Sequence, residues 1–181
     1  MLRRPAAPAD ALPSSSHFLT HGFPGEQVFV HYIRRARTAF GRTWYVIPAR
    51  FNGCILGPPR EGIILFGFGA LGGGGGGGQT AAVIAQHGMW GLTSGGTGNP
   101  AGITYFHGVV PDGVATVTFH YPAGKVGGFS RQSGGPVTVN AHVVNNVVVL
   151  SVPRAGEQAT QAVTVTWRAA NGKIIKTLNG L

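Results

Sequence analysis

The sequence predicts a mainly β protein whose C-terminal part is an antiparallel, β-sandwich-like (immunoglobulin-like) domain. Three observations predict it. From residue 103 onward apolar and polar side chains alternate with period two. Asn and Gly pairs punctuate that alternation. Only one stretch of the chain carries both a start and a stop signal for a helix.

In the run VATVTFHY, Ala115, Val117, Phe119 and Tyr121 share one face, and Thr116, Thr118 and His120 share the other. In VTVNAHV, Val137, Val139, Ala141 and Val143 point inward, opposite Thr138, Asn140 and His142. Val148, Leu150 and Val152 continue the pattern, followed by Val163, Val165 and Trp167 against Thr164, Thr166 and Arg168. Strands with one buried and one solvated face belong to antiparallel sheets. The turns agree: Pro111-Asp112-Gly113 suits a type I turn, and Asn145-Asn146 and Asn171-Gly172 suit tight hairpins, because Asn and Gly tolerate positive φ.

The N-terminal half predicts a β-hairpin and glycine-rich part. QVFVHY (27–32) and TWYVIP (43–48) alternate as strands, with Phe40-Gly41 as a turn, and Ile63–Phe66 is another strand-like run. The unbroken block Gly72–Gly78 reads as a mobile surface loop, since glycine loses most entropy on ordering. TAAVIAQHG (80–88) is the single short helix, capped by Thr80 and ended by Gly88. The expected organisation is a disordered lead over 1–25, rich in Pro, Ala and Ser, with no apolar run that would make it a signal peptide. A β-rich, Gly-rich segment over 26–104 follows and packs on an antiparallel β domain over 105–181.

Composition narrows the chemistry. Charged residues are 10% of the 181, far below the roughly 25% of an ordinary soluble domain. Fourteen basic residues face five acids, for a net charge of +9, and the excess is spread over both halves. A general positive field favours polyanions. No charged residue occurs from Gly62 to Pro111, yet ten of the seventeen residues from Gly62 to Gly78 are glycine, which argues against a membrane-spanning helix.

Catalytic motifs are scarce. Gly67-Phe68-Gly69-Ala70-Leu71-Gly72 matches G-x-G-x-x-G, but further glycines follow it where a helix should open, and no acid lies about 20 residues on. No nucleotide cofactor is therefore expected, nor any other. No P-loop, G-x-S-x-G or H-E-x-x-H pattern occurs. The lone Cys54 excludes an internal disulfide, while spacing leaves open a dyad with a histidine. His120 and His142 fall on the outward faces of their strands and are weak metal candidates, with His107 as a third ligand, against the plainer reading of ordinary strand residues. Arg34, Arg35, Arg37, Arg42 and Arg50 have no acid among them and interleave with Tyr32, Phe40, Trp44 and Tyr45. That is the pattern of a basic–aromatic surface for single-stranded nucleic acid, or of a solvated hairpin whose aromatics face the core.

The order of segments also carries a resemblance. RART…GRTWYVIP (35–48), Cys54-Ile55-Leu56, the glycine-rich stretch, GVVPDGVATVT (108–118), VVNNV (143–147) and VTWRAANGK (165–173) follow one another. In this the chain resembles a group of uncharacterised actinobacterial proteins, often exported or membrane-anchored. V-P-D-G-V is the most specific piece. The resemblance implies an envelope or extracellular location and brings no catalytic residues. A second cysteine common in the group is replaced here by the Gln79-Thr80 neighbourhood, and no anchor helix is seen; a cytoplasmic protein, or an export signal upstream of Met1, are the alternatives. The expected function is a non-catalytic structural or interaction module of the envelope or exterior, with another protein or an anionic polymer as partner. The rivals are a basic binder of nucleic acid or acidic wall polymer, and an enzyme using Cys54 or a histidine site.

Overall fold

The computed structural model describes residues 5–14, 26–51, 59–69, 72–94, 103–121, 136–153 and 164–180. Cys54 lies outside the described residues. The strands are β1 (Glu26–Val28), β2 (Arg34–Ala39), β3 (Arg42–Phe51), β4 (Arg60–Gly69), β5 (Gly72–Gln79), β6 (Met89–Ser94), β7 (Ile103–Val109), β8 (Thr116–Tyr121), β9 (Val137–His142), β10 (Val147–Pro153), β11 (Thr164–Arg168) and β12 (Ile174–Asn179). One α-helix, α1 (Ala81–His87), lies between β5 and β6. The Thr80 hydroxyl accepts from the Val83 N–H, and Gly88 ends the helix at φ +72°, as the sequence predicts.

The strands form three antiparallel sheets. The first runs β1-β3-β4-β5, with β2 also paired to β3; the second runs β10-β7-β6; the third runs β12-β11-β8-β9. The second sheet lies between the other two and is buried on both faces. Phe106 and Val148 pack with Val117, Phe119, Val165 and Trp167 of the third sheet. Val109, Val147 and Val149 pack with Ala36, Trp44, Val46 and Leu65 of the first. This explains the continuous Val147-Val148-Val149 run: a strand buried on both faces needs no polar alternation. At the centre of the third-sheet core, Phe106 and Phe119 meet edge-on at 5.3 Å, and Trp90 stacks on Phe106 at 5.7 Å.

The glycine block corrects the expectation of a mobile loop. Gly72–Gln79 is a strand, paired to β4 along its length. Rings take the place of the missing side chains. A Cβ on Gly78 would sit 2.2 Å from the Phe51 ring, and one on Gly73 would sit 2.4 Å from Phe66. Gly73 and Gly78 thus need to be glycine because aromatic rings already occupy their side-chain positions, which offsets glycine's entropic cost there.

The N-terminal lead is also docked in part. In residues 5–14, a 3-10 turn (Pro8–Asp10) precedes Leu12, which is buried against Ile33, Tyr45, Ile47 and Phe66 on the outer face of the first sheet. Asp10 is 4% exposed and accepts hydrogen bonds from the backbone N–H of Ala7 and Arg35, both at 2.8 Å. A carboxylate holding two N–H donors is a satisfied buried charge.

The predicted hairpin differs in its first arm. The Arg-rich segment itself forms β2, with a bulge between Arg35 and Arg37, while 27–32 supplies the end of β1 and a 3-10 turn at Val30–Tyr32. Gly113 has φ +90°, the left-handed conformation that glycine supplies at the predicted Pro111-Asp112-Gly113 turn. Asn145 (φ 49°) and Asn146 (φ 65°) make the tight turn expected of them, closed by reciprocal Val144–Val147 backbone bonds. That turn carries the chain from the third sheet to the second rather than joining neighbours in one sheet.

Candidate functional site

The Asn145-Asn146 turn ties all three sheets together. Asn145 Nδ2 donates to the Ala36 carbonyl of β2 at 2.7 Å. Asn146 Nδ2 donates to the Val110 carbonyl at 3.1 Å and to Asp112 Oδ1 at 2.9 Å. Arg37 Nη1 reaches across from β2 to the carbonyls of His142 (3.0 Å) and Val147 (3.4 Å). Burial lowers the Arg37 pKa from its usual value.

Beside this junction opens a cavity of about 430 Å³. Val46 and Ile63 of the first sheet form one wall, and Ala81, Ile84 and Ala85 of α1 form another. Val109, Val110 and Pro111 close the far side, with Asp112 and Asn146 as the polar lining. The volume falls in the range of small-molecule sites, and so does the character: apolar walls with a few placed polar groups. Its placement follows from the fold, since the αL turns at Gly113 and Asn145-Asn146 bring a carboxylate and a carboxamide to the mouth.

The five arginines do not form one basic surface. Arg34 and Arg42 are buried, Arg34 donating to the carbonyls of His31 and Ile33. Arg42 lies over the Tyr105 ring, 5.3 Å from its centre. Arg37 serves the junction. Arg35 is exposed and bonds the Thr38 hydroxyl, and Arg50 is exposed and paired with Glu61 at 2.9 Å. Arg34, Arg37 and Arg42 pair in register with Val46, Trp44 and Ala39, so they share the inner face with Trp44, while Arg35 stands opposite Tyr45 on the outer one. Plain alternation already puts Arg42 and Trp44 on one face of β3, and the β2 bulge brings Arg37 to the same face.

The three histidines are not brought together. His107, on β7, is 1% exposed between the first and second sheets, 4.7 Å from Trp44 and directly over Gly91. Burial first, and the Arg42 charge second, push its pKa down to about 4. His120 and His142 share the outward face of the third sheet. His142 stands opposite Thr116, though, and His120 opposite Thr138. Four residues of strand, about 13 Å, separate them, too far for a shared metal. Among the described residues, no group of three or more His, Cys, Asp or Glu could hold a metal ion.

Comparison of the chain with protein-family models, with curated proteins and with solved structures finds no match. Among the described residues, no helix is long and apolar enough to cross a membrane. The groove was missed by sequence reasoning because its lining comes from five separated segments. Only the Pro111-Asp112-Gly113 and Asn145-Asn146 turn signals mark its rim.

Proposed function

We propose that the protein is a non-catalytic interaction module of the cell envelope or exterior, and that the groove beside the Asn145-Asn146 junction is its small-ligand site. The location follows the actinobacterial resemblance and the low charged fraction of the sequence. The observation that carries the binding reading is the groove itself: about 430 Å³, walled by aliphatic side chains, with the Asp112 carboxylate at its mouth. The occupant is a small molecule with an apolar body and a hydrogen-bond-donating head. The Asp112 carboxylate accepts from Asn146 Nδ2 at 2.9 Å, which orients it in the lining.

Thermal melts with octylamine, phenethylamine and octanoate test this. A ligand at ~100 times its dissociation constant should add about 2.7 kcal/mol of stability. The two amines should raise the melting temperature and octanoate should not. Asp112→Asn should weaken the amine response, and Ala85→Phe, which fills the groove from exposed helix surface, should abolish it. An amine response that survives Ala85→Phe, or none in the wild type, would sink the assignment.

A further inference from the structure

The outward face of the third sheet is an ordered array. Register places Thr138, His120, Thr164 and Asn179 in one row across the four strands. Asn140, Thr118, Thr166 and Thr177 make the second row, and His142, Thr116, Arg168 and Ile174 the third. Neighbours in a row are about 4.8 Å apart, and rows about 6.7 Å. Eleven of these twelve side chains carry hydrogen-bonding groups, none is a carboxylate, and one, Arg168, is a permanent cation. Cross-strand bonds pre-order the array: Thr118 Oγ1 donates to Asn140 Oδ1 at 2.8 Å, and His120 Nδ1 meets Thr138 Oγ1 at 3.0 Å. Its outer strands are the open part. Thr138, Asn140, His142, Thr177 and Asn179 are exposed, while Thr118 and Thr166 at the centre are buried.

We propose that this face binds an acidic polysaccharide. A dense field of hydroxyls and amides matches the hydroxyls of sugar rings. A single arginine, with no acid in the array, matches a polymer whose carboxylates stand one sugar ring apart and are flanked by hydroxyls. Single-stranded nucleic acid calls for aromatic platforms on which bases stack, and none of the three rows holds a Phe, Tyr or Trp. Duplex DNA presents a charge about every 1.7 Å, which one cation does not answer. The inference is independent of the groove, which lies between the first sheet, α1 and the end of β7, away from the third sheet's outer face.

The test uses affinity electrophoresis of the full chain through gels containing polygalacturonate, with dextran and a thirty-nucleotide oligo-dT as comparison polymers. Asn140→Asp and Thr177→Glu place acids at exposed positions of the array. Arg35→Gln, on the outer face of the first sheet, makes the same net-charge change as Asn140→Asp away from it. Melting curves of all three variants check the fold. The expected result is retardation by polygalacturonate but not dextran, weakened at least tenfold by each array variant and less than twofold by Arg35→Gln. Equal weakening by Asn140→Asp and Arg35→Gln would reduce the interaction to general charge and overturn the proposal. So would an absence of retardation, or tighter binding to oligo-dT that the same array variants abolish.

Discussion

Acid should loosen the interface between the first and second sheets through His107. Its pKa falls from the ordinary 6.5 to about 4 on folding. The unfolded chain therefore takes up the proton first as pH drops, and stability is lost between pH 6.5 and pH 4. The gap between the two values corresponds to about 3 kcal/mol in full, and roughly 2 kcal/mol of that is lost between pH 7 and pH 5. Urea denaturation followed by tryptophan fluorescence suits the test, because Trp44 packs 4.7 Å from the imidazole. Midpoints at pH 7 and pH 5 give the loss for the wild type. His107→Leu, which cannot titrate, should show a loss smaller by roughly 2 kcal/mol whatever its absolute stability. Carboxylates titrate in both proteins and cancel in the difference. Equal losses in the two proteins would refute the reasoning, placing the unfolded and folded imidazoles at the same pKa.

Three other substitutions test the scaffold. Gly78→Ala puts a Cβ 2.2 Å from the Phe51 ring and should cost about 1–3 kcal/mol by chemical denaturation, partly recovered in the double variant with Phe51→Leu. Asn145→Ala loses both the bond to the Ala36 carbonyl and a residue tolerant of φ 49°, and should cost roughly 1–3 kcal/mol in the same assay. Asp10→Ala removes the acceptor for two backbone N–H groups at 2.8 Å and should cost about 1.5–3 kcal/mol, with faster proteolytic cleavage in residues 5–14.

Much of the fold is legible where one physical rule acts alone. Val117, Phe119, Val165 and Trp167 alternate with Thr and are buried as the period demands. Thr80 and Gly88 bound α1 because capping chemistry is local. Elsewhere two rules compete. Gly72–Gly78 looks too entropic to order, yet the Phe51 and Phe66 rings that stabilise it lie on other strands and leave no mark within the block. The Arg-rich segment looks like a surface because it is charged. Arg34 and Arg42 fall on the inner face by ordinary alternation and a bulge brings Arg37 there as well, where carbonyls and the Tyr105 ring receive them. The cavity is least legible, since Val46, Ile84, Val109 and Asn146 meet only after the first sheet, the second sheet and α1 have packed together.

The fate of those arginines bears on how the chain can bind a polymer. A net charge of +9 suggests an electrostatic binder, but charge that is spent on the interior does not meet a partner's anions. On the proposed polysaccharide face Arg168 alone is a permanent cation, and its Nη1 is partly engaged by the Gly172 carbonyl at 3.2 Å. Counterion release scales with the number of anions neutralised, with a slope of about −0.9 per contact for a densely charged polymer. One contact predicts that raising salt from ~50 to ~200 mM weakens polygalacturonate binding by at most about fourfold. A surface built of six to ten cationic contacts would lose about 10³–10⁵ over the same range. The salt slope therefore separates recognition by hydroxyls and amides from recognition by charge. A steep slope would return the arginine-rich first sheet to consideration as the polymer-binding face.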